Sequence, residues 1–75
     1  MDTRTRVGAA LQRWRLATGL TQVQVAERTG KSQSSVSAAE DGIYSADFLC
    51  DLLALYRPPA EEAAEVMYGD TGEVS

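Results

Sequence analysis

QVQVAERTGKSQSSVSAAED, residues 22–41, places two short helical patterns on either side of one glycine. Two helices can share so short a segment only if they pack against each other through a tight turn. Val25 and Ala26 take the inward positions of the first pattern, and Val36 and Ala39 those of the second. Gly30 stands where the turn needs a positive φ or a close backbone approach. This spacing is that of a helix-turn-helix, in which the second helix enters the major groove of DNA. The outward side of that second helix is Ser32, Gln33, Ser34, Ser35, Ser37 and Ala38.

Outward from this segment, helical spacing continues in both directions. A first helix is expected over about Thr5 to Thr18, with Val7, Ala10, Leu11, Trp14 and Ala17 on one apolar face and Gly19 at its end. Leu20 plugs the space between helices, and Thr21 is the expected N-cap of the second helix, about Gln22 to Arg28. Ser32 caps the third, which runs to about Glu40. Ser45 caps a fourth, with Asp47 in its first turn and Phe48, Leu49, Leu52, Leu53, Leu55 and Tyr56 as its apolar positions. Pro58 and Pro59 interrupt the pattern, and a fifth helix follows from about Pro59 to Tyr68. No strand signal or repeat competes with this. The expected fold class is all-α, with one domain over residues 1–68 and a flexible C-terminal tail over 69–75. Val25, Ala26, Leu20, Val36, Leu11, Trp14, Leu49, Leu52 and Leu53 are the expected core.

A chain of 75 residues supports one small core and no deep cleft. No apolar run approaches the length of a membrane span, and the polar start lacks a secretory apolar region. The single cysteine, Cys50, cannot close an internal disulfide, and there is no histidine. No metal, no cofactor and no enzymatic activity are therefore expected, and the chain fits a reducing, cytoplasmic setting. Cys50 is expected to pack within the fourth helix. The net charge of −4 argues against nucleic acid until its distribution is examined. Residues 1–38 carry a net +4 and residues 39–75 a net −8, so the basic half contains the helix-turn-helix. That asymmetry can orient a domain on a polyanion.

The stretch from Leu11 to Tyr56 resembles the Xre family, the Cro and phage-repressor type of helix-turn-helix domain. The matching pieces are Arg15, GLTQ at Gly19–Gln22, Val25–Ala26, Gly30, SQSSVS at Ser32–Ser37, and the E-x-G of Glu40–Gly42. The LLALY that closes this stretch, with its prolines and acidic residues beyond, looks like the N-terminal domains of actinobacterial Xre regulators. The resemblance implies a five-helix, lambda-repressor-like bundle that binds double-stranded DNA. It also implies that Gln22 binds a phosphate and braces Gln33, and that Arg15 and Glu40 form a structural ion pair tying the first helix to the end of the recognition helix.

Side-chain chemistry adds its own expectations. Gln33 can offer adenine two hydrogen bonds, Ser34 and Ser37 admit close approach to base edges, and Ala38 presents a methyl to thymine. Gln22, Arg28, Lys31 and Ser32 are the candidate phosphate contacts. Arg4 and Arg6 are candidates for an arm, and Tyr44 for a phosphate contact or a rim aromatic. One small helix-turn-helix reads few base pairs, so a homodimer is expected, through the fourth and fifth helices. Leu53, Tyr56, Val66, Met67 and Tyr68 offer more apolar surface there than so small a domain readily buries.

Family members often carry basic residues after the V-S of the recognition helix and after the E-x-G; this chain has Ala38, and then Ile43, Tyr44, Ser45, Ala46 and Asp47. Phosphate contacts supply much of the affinity for DNA. The leading expectation is a sequence-specific transcriptional regulator, such as a repressor. The alternative is an antitoxin-like or antirepressor-like protein-interaction module that keeps the fold, weakens DNA binding and offers its acidic C-terminal half to a protein partner.

Overall fold

The computed structural model describes residues 2–68, so the tail expected over 69–75 lies outside the described residues. Five helices follow in chain order: α1 (Thr3–Thr18), α2 (Gln22–Thr29), α3 (Gln33–Glu40), α4 (Ala46–Tyr56) and α5 (Ala60–Tyr68). No strand occurs among the described residues, and none of these helices is long and apolar enough to cross a membrane. The fold is an all-α bundle.

Short polar side chains set the helix starts. The hydroxyls of Thr21, Ser32 and Ser45 accept the backbone N–H of Gln24, Ser35 and Phe48, each at 3.1 Å. Each such cap contributes about 1 kcal/mol. At Thr21 the arrangement is reciprocal, since Gln24 Oε1 accepts the Thr21 backbone N–H at 2.9 Å. α1 begins two residues before the sequence expectation because Asp2, not a later residue, is its cap and accepts the Thr5 N–H at 2.8 Å. Gly30 adopts φ 72° at the end of α2, the left-handed conformation that the turn into α3 requires. α4 ends on Arg57 at φ 49°, an uncommon conformation for a residue with a side chain, directly before Pro58.

The core is Val7, Ala10, Leu11 and Trp14 of α1, Val25 and Ala26 of α2, Val36 and Ala39 of α3, Phe48, Leu52 and Tyr56 of α4, and Val66 of α5. Leu20, Leu49 and Leu53 are only half-buried and pack on its edge. Two sequence expectations fail outright. Ala17 is exposed in the last turn of α1, and Cys50 is exposed on α4 instead of packing inside it. α5 closes the bundle: Val66 enters the core, and Trp14 Nε1 donates to Glu62 Oε1 at 2.5 Å. With Val66 and Tyr56 in the core and Leu53 and Met67 packed on it, Tyr68 is the apolar residue of this group that stays open, 71% exposed.

α1 crosses the end of α3 at Gly8. A Cβ there would stand 2.7 Å from the Glu40 carbonyl oxygen and the Gly42 nitrogen, and 2.9 Å from the Ala39 carbonyl oxygen. The two backbones touch, and this contact fixes the pose of α3 against the rest of the domain.

Candidate nucleic-acid interface

α3 lies on the surface by virtue of its composition. Only Val36 and Ala39 are fully buried, one turn apart, so the helix rests on a narrow apolar stripe; Gln33 and Ser34 are exposed at its start, and Ser35, Ser37 and Ala38 are half-buried. Gln33, Ser34, Ser37 and Ala38 of α3 join Gln22, Asp41 and Ile43 around one shallow concavity of about 420 Å³. Thus all four residues expected at base edges, and the Gln22 expected to brace Gln33, border one open face.

Beneath this face runs a chain of hydrogen bonds. Arg15 of α1 donates from Nε to Glu40 Oε2 at 2.5 Å and from its terminal nitrogen Nη2 to Glu40 Oε1 at 3.3 Å. The two side chains are 9% and 6% exposed, and a further Arg15 nitrogen donates to the Leu20 carbonyl at 3.0 Å. The Glu40 bond raises the Arg15 pKa, against the opposing effect of burial. Gln22 Nε2 donates to the same Glu40 Oε1 at 3.0 Å. Gln33 Nε2 donates to Gln22 Oε1 at 3.4 Å, a long bond on the surface. Charge-assisted bonds to a buried carboxylate are thereby connected to the amide at the start of the exposed helix. The link from Glu40 to Gln22 is absent from the sequence expectations, because nothing in a linear pattern joins residues 18 apart at opposite ends of a helix pair.

The cations are more dispersed than the charge asymmetry suggests. Arg4 is no arm: it lies in the first turn of α1, donates to the carbonyls of Gly42 and Tyr44 at 3.4 and 3.0 Å, and stacks on the Tyr44 ring at 4.7 Å. Arg6 donates to the Val66 carbonyl at 3.1 Å, and Arg13 sits 3.7 Å from Glu62. Tyr44 is a half-buried rim aromatic under Arg4. Arg28, at the end of α2, and Lys31, in the turn, are exposed and flank α3. Lys31 holds its Nζ over the Phe48 ring, 6.0 Å from the centroid. The Ser32 hydroxyl accepts the Ser35 N–H and lies 3.1 Å from the Ser35 hydroxyl, so its first duty is capping.

Two residues on this face were not singled out from the sequence. Asp41 brings a negative charge to the rim of the concavity, and Ile43 stands beside Ala38 with 69% of its surface exposed. The available signal was an isoleucine beside Tyr44 in a short loop whose other residues are polar or small. Its backbone N–H donates to the Ala38 carbonyl at 2.9 Å, which folds the loop back over the end of α3.

Comparison with known proteins bears on the fold that carries this face. A family model described as a helix-turn-helix domain, of the Xre/Cro type, matches residues 6–66, and the chain belongs to that family of DNA-binding domains. Comparison with the curated proteins and with the solved structures returned no match.

Proposed function

We propose that this helix-turn-helix domain is a sequence-specific transcriptional regulator of duplex DNA, with α3 lying in the major groove. The observation that carries this is the convergence of Gln33, Ser34, Ser37 and Ala38 on one exposed face beside Gln22. Gln33 reads a base edge, with Ser34, Ser37 and Ala38 making the closer, less discriminating contacts. Arg28, Lys31, Gln22 and the start of α3 at Ser32 hold phosphates. Two copies paired through α4 and α5, with Tyr68 as the exposed apolar residue, would place two recognition helices in successive major grooves, roughly 34–36 Å apart. The setting is cytoplasmic and the activity is binding, not catalysis.

Selection from a random duplex pool at low salt, followed by mobility-shift titration, tests this. Enrichment of a site with two half-sites one helical turn apart is expected. Gln33→Ala should cost about 1–3 kcal/mol and relax one base position per half-site. Arg28→Ala or Lys31→Ala should weaken all sequences alike and reduce the salt slope by about one per lost phosphate contact. No enrichment from the pool would overturn the assignment.

A second reading has its own support. Asp41 borders the recognition face and four of the basic side chains in the first half bond elsewhere within the domain. An interaction module of the antitoxin or antirepressor kind, docking a protein on its acidic half, fits those facts. It takes precedence if the pool yields nothing.

A further inference from the structure

We propose that Glu40, buried and distant from the exposed end of α3, is a positioning residue that sets which hydrogen-bonding edge Gln33 shows to a base. This rests on the reading of α3 as a DNA-reading helix and adds the determinant of its preference.

A carboxylate can only accept hydrogen bonds, whereas a glutamine amide has a donor end and an acceptor end and can flip between them. Arg15 locks the Glu40 carboxylate through Nε and Nη2, at 2.5 and 3.3 Å. Glu40 Oε1 therefore faces Gln22 as a fixed acceptor, and Gln22 must turn its Nε2 toward it, as it does at 3.0 Å. That leaves Gln22 Oε1 pointing at Gln33, which turns its own Nε2 inward at 3.4 Å. Gln33 is left with a free Oε1 acceptor and one free N–H. An acceptor beside a donor is the complement of adenine N6–H and N7, while guanine O6 and N7 require two donors. The polarity of the surface amide is dictated by the acceptor-only anchor two bonds below it.

The consequence is specific. In Glu40→Gln the new amide keeps its oxygen on Arg15 Nε and turns its NH2 group to Gln22, giving up the 3.3 Å bond from Arg15 Nη2. Gln22 then flips to accept, its Nε2 faces Gln33, and Gln33 flips in turn to present two donors outward. A carboxylate-to-amide change in the interior thus converts an adenine-reading edge into a guanine-reading one. A merely structural Glu40 would instead weaken all sequences equally.

Two readouts decide this. In the free protein, the side-chain amide resonances of Gln22 and Gln33 are followed by nitrogen-15 NMR. Glu40→Gln should move both sets while leaving the amide of Gln12, outside this hydrogen-bond chain, in place. A shift at Gln22 with none at Gln33 would overturn the relay. With DNA, the duplex selected by the wild-type chain is compared with single A-to-G changes at the base read by Gln33. The wild-type chain should prefer adenine by about tenfold or more, and Glu40→Gln should abolish or invert that preference. Retention of the wild-type preference would overturn the proposal. If Glu40→Gln does not fold, Gln22→Ala, on the surface, serves in both readouts: it should shift the Gln33 amide and flatten the adenine preference, and an unchanged preference again refutes the coupling. If the wild-type chain enriches no duplex, the regulator assignment fails and the base-reading role with it. A Gln33 amide that still responds to Glu40→Gln would then locate the error in the ligand, whereas one that does not would overturn the relay as well.

Discussion

Gly8→Ala is the sharpest test of how α3 is held. Alanine is the better helix former, and on an ordinary helix the exchange stabilises by about 1 kcal/mol. Here the added methyl would meet the Glu40 carbonyl and the Gly42 nitrogen at 2.7 Å and the Ala39 carbonyl at 2.9 Å. All three are backbone atoms, which cannot swing aside as a side chain can. Ordinary contact needs another half ångström or more, so α1 and the end of α3 must separate. Overpacking of this kind costs about 1–3 kcal/mol, and backbone against backbone belongs at the upper end. The net expectation is a loss of about 2 kcal/mol. A domain of this size changes Tm by about 4–8 °C per kcal/mol, so the fall should be roughly 10 °C in a circular-dichroism melt. Ala9→Gly, at the exposed neighbouring position, is the control and should lower Tm by the propensity cost alone, about 1 kcal/mol. Opposite exchanges at adjacent positions should therefore both destabilise. A Gly8→Ala domain that melts higher than wild type would refute the close crossing of α1 and α3.

Arg15→Ala and Glu40→Ala should each cost about 3–5 kcal/mol, since each strands a buried charge, and denaturant titration of the double mutant should show strong coupling. Strictly additive losses would mean the pair contributes nothing jointly. Tyr56 gives a pH prediction. Burial, with a smaller effect from nearby Glu40, pushes its pKa up to about 12 from 10.0, and its hydroxyl finds no protein partner among the described residues. The folded state thus holds the phenol proton more tightly than the unfolded chain does. Stability from this group is complete below pH 10 and is lost as pH rises toward about 12. Tyr56→Phe should match or exceed wild-type stability at pH 7 and show a smaller alkaline loss; equal alkaline loss in both proteins would rule the burial effect out.

Local rules were enough for the helices and their order. Thr21, Ser32 and Ser45 are short oxygen donors and acceptors that satisfy nearby backbone N–H groups, and Gly30 permits a left-handed turn; both act within a few residues, so both are readable in a linear string. The inward positions Leu11, Trp14, Val25, Val36 and Leu52 follow from helical period in the same way. Periodicity fails where burial depends on what lies opposite. Ala17 and Cys50 sit at apolar positions of their helices yet face solvent, because a helix period says which residues share a side and not how far a neighbour reaches along it. The outward face of α3 was legible because the residues on it adjoin in sequence. Its support was not. The backbone contact at Gly8, the bonds of Arg4 and Arg6 to the Tyr44 and Val66 carbonyls, and the bond from Gln22 to Glu40 join residues 18 to 60 positions apart. Those are decided by how the helices cross, and the crossing exists only once α1, α3 and α5 have packed. Which side chains α3 carries is written in the linear string; that Gln33 turns its Nε2 to Gln22 Oε1 follows from the packing of α2 against α3, which brings residues 11 positions apart into reach.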